Sequence, residues 1–208
     1  MKQLDILGKL FGSMIRVKLM KFFLLNQDVI ISVEELAERL RVKPKMINAD
    51  LAELAKVGMI KPRMATKITV RGLKSTKKKV KGFVSSPDFK MSEPLRGLLV
   101  DAAGTHIPDI LPRFNKIGKV GLFLVSGIFL HDKDRTMDLM IVGDRLNRKL
   151  IERRIKELEA EIGKELRYAI FENEEFLYRL NMYDKLLRDV LDYPHEKLIN
   201  KIDPPELL

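Results

Sequence analysis

The sequence predicts an α+β head, in which short helices are followed by a basic hairpin, joined to an α/β body with a mixed sheet and flanking helices. Three observations predict this. Residues 33–58 read as two short helices around a tight turn, and residues 59–84 read as a hairpin, with Lys67–Arg71 alternating as a half-buried strand does and Lys77–Val84 returning as the second strand. Further on, the apolar runs Val120–Val125 and Leu139–Val142 read as strands buried on both faces, with helical patterns around them. The charge is also divided. Met1–Ser86 carries 19 Lys+Arg and 7 Asp+Glu, whereas Pro87–Leu208 carries 20 and 22. The whole excess of +10 therefore lies in the first part, at +12 against −2. A boundary is expected at Ser85-Ser86-Pro87-Asp88, giving domains 1–86 and 87–208.

Composition narrows the function classes. The chain has 208 residues, 46% of them hydrophobic, enough for a proper core. It has no cysteine, which excludes disulfides and thiolate metal sites. His106, His131 and His195 are too far apart to form a ligand pattern. Met1–Ile6 carries no signal-peptide hydrophobic region, and Val120–Leu130 is shorter than the roughly 20 residues a membrane helix needs. The expectation is a soluble cytoplasmic protein with no membrane partner and no cofactor. A basic head on a near-neutral body suggests a polyanion as partner.

In the head, Leu4–Leu10 is a short apolar-rich opening. Ser13 is placed to cap a helix running through Leu25, and MIRVKLMKFFLL is apolar on most sides, as a central core helix would be. Val29-Ile30-Ile31 is a short extended piece. Ser32 with Glu35 fits a capping box for a helix from Val33 to Leu40. Arg41–Pro44 is a turn, with Pro44 suited to the first position of the next helix. On that helix, Lys43–Val57, Ile47, Leu51 and Leu54 share one face. Lys45, Ala49, Ala52 and Lys56 share the other, with Asn48 at its edge. The outward face is cationic and, at its alanines, thin enough for close approach to a surface. Gly58 ends the helix. The hairpin that follows carries Arg63, Lys67, Arg71, Lys74, Lys77, Lys78, Lys79 and Lys81. So many like charges repel one another unless phosphates neutralise them.

The order LAERL, RVKPKMINADLAELAKVGMIK and basic hairpin resembles the winged helix-turn-helix of bacterial and archaeal transcription regulators. The likeness covers most of Met1–Phe83. Lys43 stands where that family usually has Ser or Thr as the helix cap. The resemblance implies double-stranded DNA as partner, bound by a homodimer on paired half-sites. Lys45, Asn48 and Ala49, near the start of the helix, are then expected at base edges. Asn bonds adenine twice, and alanine touches a thymine methyl. Lys56 and the hairpin cations are expected to hold phosphates, and Lys43 completes the DNA-binding set. RNA is the weaker partner, because the hairpin lacks paired aromatics for stacking on bases.

In the body, Glu93–Ala103 and Ile107–Asn115 read as helices, a helix runs from Gly143-Asp144 to Ile162, Arg167–Phe171 reads as a strand and Asn173–Leu191 as one helix. Lys197–Ile202 reads as a last strand and Asp203–Leu208 as a loose tail. The stretch Val125-Ser126-Gly127 to Met137-Asp138-Leu139-Met140 resembles the nucleotidyltransferase fold. In that family a Gly-Ser pair follows one strand, and an Asp-x-Asp pair opening the next holds two magnesium ions. Here Asp138 matches the second Asp, Thr136 stands at the first, and Arg167–Phe171 carries no third carboxylate. The resemblance implies the fold without the activity: a catalytically inactive body serving dimerisation or sensing of an unknown effector. The alternative is an active magnesium-dependent nucleotidyltransferase with a nucleic-acid-binding head. His131, Asp132, Asp134 and Asp138 are read as a solvated loop rather than a metal cluster.

Overall fold

The computed structural model describes residues 3–71, 74–102, 107–132 and 135–202, without the side chains of residues 3–5, 65, 67–71, 74–76 and 101–102. The protein is mixed α+β with two sheets. It divides into two units: Met1–Gly104 with Glu157–Lys164, and Thr105–Lys156 with Glu165–Leu208. Among the described residues no helix is long and apolar enough to cross a membrane.

The first unit opens with α1 (Gln3–Leu10) and α2 (Met14–Leu25). The Ser13 hydroxyl caps α2 by accepting from the Arg16 N–H at 3.1 Å. Apolar on nearly all sides, α2 forms the centre of the core through Val17, Leu19, Met20, Phe22, Phe23 and Leu24. After β1 (Ile31–Ser32), the Ser32 hydroxyl caps α3 (Val33–Arg39) through the Glu35 N–H at 3.2 Å. Only this half of the expected capping box is seen. The Glu35 carboxylate turns to Arg39, one helical turn on, at 3.2 Å. Arg41 takes a left-handed φ of 55°, and the Val42 N–H donates to Ala37 O at 2.9 Å, which tightens the turn into α4 (Pro44–Lys56). β2 (Ile60–Arg71) and β3 (Lys74–Ser85) form a long antiparallel hairpin, and β1 adds to β3, giving the order β1-β3-β2.

The expected boundary at residues 86/87 falls inside this unit. Ser85 and Ser86 are buried, and the Ser86 N–H donates to Met59 O at 2.9 Å. The expected helix Glu93–Ala103 is a short α5 (Ser92–Arg96) followed by a π-helical turn, Gly97–Ala102. Leu99 is fully buried in the core formed by α2, and Leu95 and Phe89 pack against that core. Their apolar stripe thus completes the first core instead of opening a second.

The second unit holds a four-stranded mixed sheet in the order β6-β5-β4-β7. Its strands are β4 (Lys119–Val125), β5 (Leu139–Asp144), β6 (Tyr168–Phe171) and β7 (Glu196–Asn200). β4 runs antiparallel to β5 and β7, while β5 and β6 are parallel. Leu122, Leu124, Met140 and Val142 point into one core with Phe171, Phe176, Leu187 and Val190. The alternate positions Phe123 and Ile141 are equally buried, so both faces are covered. The helical pattern at Ile107–Asn115 resolves into two 3₁₀ turns, Ile107–Asp109 and Leu111–Phe114. α6 is Arg148–Ile162, and its last turns, from Glu157, group with the first unit. The single helix expected over 173–191 is two, α7 (Asn173–Asn181) and α8 (Lys185–Leu191). Tyr183, at φ 54°, breaks it, and the Asp184 carboxylate starts the second by accepting from the Leu186 and Leu187 N–H groups. The expected tail, 203–208, lies outside the described residues.

Candidate functional site

α4 has two unlike faces. Ile47, Leu51 and Leu54 are buried, and Lys45, Asn48, Ala49, Ala52 and Lys56 are exposed. Lys43 is the N-cap residue, with its side chain exposed and making no capping bond. Pro44 then starts the helix, its missing N–H falling where no helical partner exists. The start of the helix therefore presents cations to solvent without an acid in its first turn.

Sequence reasoning missed two residues of this helix. Met46 is 54% exposed, beside Lys45 on the outward face, and offers an apolar surface among cations. Asp50 lies on the inward face at 7% exposure. Its carboxylate accepts from the Ser13 hydroxyl at 2.7 Å and from Arg16 Nε at 2.9 Å, and Arg16 Nη1 in turn donates to Phe11 O at 3.2 Å. Both were legible by spacing. Asp50 sits three residues after Ile47 and four before Leu54, a charged residue inside an apolar stripe. This network ties the middle of α4 to the start of α2, and so fixes how the outward face is presented.

The hairpin adds the rest of the cationic surface. Lys77, Lys78, Lys79, Lys81 and Arg63 are exposed. Register places Lys67 opposite Lys78, a like-charge cross-strand pair that destabilises an isolated hairpin. Lys67, Arg71 and Lys74 lie on the strands, and their side chains lie outside the described residues. The Lys81 ammonium lies 5.8 Å from the Phe83 ring centroid, which anchors the base of β3. Lys61, at the root of β2, pairs with Asp88 at 2.6 Å, and this hydrogen bond holds the Asp88 carboxyl below the usual carboxylate range. Lys45, Lys56, Lys77, Lys78 and Lys79 make no ion pair among the described residues. Two further lysines of this unit, Lys18 and Lys21, are pushed below the ordinary lysine range by burial, partly offset by Glu161.

The second unit treats its charged residues differently. Asp138 is 3% exposed, and both its oxygens are engaged. Oδ1 accepts from the Ile128 N–H at 3.0 Å, and Oδ2 accepts from the Arg167 N–H at 2.9 Å. The Arg167 guanidinium adds bonds of 3.3 and 3.4 Å. Ser126 Oγ donates to Met137 O at 2.7 Å, and the Ser126 N–H donates to Asp138 O at 3.0 Å. Gly127, at φ 54°, lies so close to the Asp138 carboxylate that a Cβ would collide with it. Thr136 and His131 are exposed, and Asp132 pairs with Arg135 at 2.6 Å. Asp134 lies outside the described residues. Among the described residues no three His, Cys, Asp or Glu side chains come together as metal ligands.

Comparison of the chain with family models, with curated proteins and with solved structures finds no match. The functional reading therefore rests on this geometry. Lys45, Asn48, Ala49 and Lys56 share α4, Lys43 is its N-cap, and Arg63, Lys77, Lys78, Lys79 and Lys81 share the hairpin that follows it. Such a surface can bond polyanion oxygens and donate to base edges, whereas the Asp138 corner has no carboxylate oxygen left over.

Proposed function

We propose that the protein is a DNA-binding transcriptional regulator whose first unit is a winged helix-turn-helix. α4 enters the major groove and the β2–β3 wing lies on phosphates. The observation that carries this reading is the outward face of α4. Lys45, Asn48 and Ala49 are exposed at its start, while Ile47, Asp50, Leu51 and Leu54 hold the opposite face in the core. Such a helix can approach bases without unpacking. Lys45 and Asn48 supply donors for base edges, and Ala49 leaves room for a thymine methyl. The lysines of the wing supply sequence-independent affinity.

The second unit is read as a nucleotidyltransferase-like body that has lost the chemistry and serves dimerisation or effector sensing. Supporting this, Asp138 is bonded to Arg167 and two backbone amides, and Thr136 replaces the first carboxylate. A magnesium ion would have to displace a guanidinium from Asp138 and would find no second acid at Thr136. Calorimetry with magnesium and nucleoside triphosphates is expected to show no binding at the Asp138 corner. Heat abolished by Asp138→Asn would restore the enzyme reading.

The wing is tested by the salt dependence of duplex binding. If about six phosphates are neutralised, the log–log slope is about −5. Replacing Lys77, Lys78 and Lys79 by Ala is expected to flatten it by about 2–3 units. An unchanged slope would remove the wing from the interface.

A further inference from the structure

We infer that the second unit carries a phosphate-binding surface of its own, formed where residues 115–118 lock onto residues 144–147 and present Lys116, Lys119, Arg145, Arg148 and Lys149. This deepens the proposed function, on which it rests: the occupant is the sugar–phosphate backbone of the same duplex DNA.

The charge sum of the body conceals this surface. Positions 87–208 total −2, yet residues 115–119 and 144–149 hold five cations against one carboxylate, Asp144. The remainder of the body is therefore at −6. All five cations are exposed. None makes an ion pair among the described residues, unlike Arg179 with Glu175 or Arg188 with Asp192 elsewhere in the unit. The nearby acids do not neutralise them. Asp144 accepts from Asn173 Nδ2 at 2.8 Å, and Glu152, one turn into α6, is exposed and pairs with none of the five.

The backbone holds the cluster together. The Asn147 N–H donates to Ile117 O at 2.7 Å, and Lys119 stands opposite Asp144 in the β4–β5 register. A Cβ on Gly118, at φ 131°, would come within 2.6 Å of Arg145 O, so the loops touch through backbone. Lys116 and Arg145 both take left-handed φ values, 64° and 53°. Asn147 Oδ1 then accepts from the Leu150 N–H at 3.0 Å and starts α6, whose first residues are Arg148 and Lys149. Five cations against one carboxylate, gathered on a fixed backbone, suit a polyanion. The surface holds no aromatic to stack on bases and no large apolar face to enter a bilayer, which favours duplex phosphates over single strands or lipid.

The test uses the full chain with Lys119→Gln, Arg148→Gln and Lys149→Gln together, positions with ordinary backbone angles. Binding to a duplex of about three helical turns is followed by fluorescence anisotropy across a salt series. The expected result is a log–log slope shallower by about 2–3 units and affinity reduced about tenfold or more near 0.1 M salt. The charge-conserving set Lys119→Arg, Arg148→Lys and Lys149→Arg is expected to keep the wild-type slope, which separates charge from folding. If the wild type binds duplex and the glutamine set leaves the slope unchanged, the second surface is overturned and the DNA reading stands. If the wild type binds no duplex, both fall. Binding of the wild type to phosphatidylserine vesicles but not to duplex would overturn both in favour of a lipid surface.

Discussion

Asp138 and Lys78 carry opposite charges in opposite settings. Asp138 is buried, and each of its oxygens accepts a backbone N–H, with Arg167 adding its guanidinium. Lys78 is exposed on a strand where Lys67 stands opposite, and it makes no ion pair among the described residues. The same contrast separates Asp50 from Lys45 within one helix. Asp138 and Asp50 are satisfied internally and tie separate segments of the chain together. Among the described residues, the exposed Lys45, Lys56, Lys77, Lys78 and Lys79 make no ion pair, which suits the polyanion partner proposed above.

The sharpest way to break this contrast is Asp138→Ala. It strips two backbone amides of their acceptor and leaves Arg167, half exposed, without its partner. A loss of about 2–4 kcal/mol is expected in urea unfolding, with the arginine's share reduced by solvent. A loss below about 1 kcal/mol would show that the corner is not structural. Next is Asp50→Ala, which takes the acceptor from the Ser13 hydroxyl proton and from Arg16 Nε and is expected to cost about 1–3 kcal/mol. Because it also frees α4 from α2, it is expected to weaken duplex binding more than its stability loss alone explains. Equal loss of stability and no change in binding of the folded protein would separate Asp50 from the interface.

Much of the first unit was legible because its signals are local. Ser13 and Ser32 cap the helices they were expected to cap, and α4 begins at Pro44 as its side-chain pattern requires. The hairpin strands follow the alternation of Lys67–Arg71 and the cations after Gly72. What was missed depends on distant partners. The stripe of Leu95 and Leu99 announces a helix but not which core receives it, so the division moved from 86/87 to 104/105. No Gly or Pro marks the break between α7 and α8, where Tyr183 takes a left-handed angle that tyrosine seldom adopts. The role of Asp138 depends on Arg167, 29 residues away, which no spacing rule connects.

A smaller effect sharpens the comparison from the buried side. Burial lowers the affinity of the Lys21 amine for its proton in the folded state, so the unfolded chain binds more protons as pH nears the ordinary lysine range. Charged Lys21 therefore costs stability at neutral pH, and that cost fades as pH rises toward 10.5. Lys21→Met is expected to be more stable than wild type at neutral pH, with the gap closing by about pH 10.5 in denaturant titrations. A gap that widens with pH would show that Lys21 is a net stabilising charge.

The outward face of α4 is tested most directly by selecting bound duplexes from a random pool, in parallel for the wild type and Asn48→Ala. The expected wild-type result is an enriched motif with two-fold symmetry. Asn48→Ala is expected to lose preference at an adenine position, by about 1–3 kcal/mol of discrimination, while unfolding at the same denaturant concentration within about 0.5 kcal/mol. No enriched motif, or the same motif from both proteins, would contradict the account.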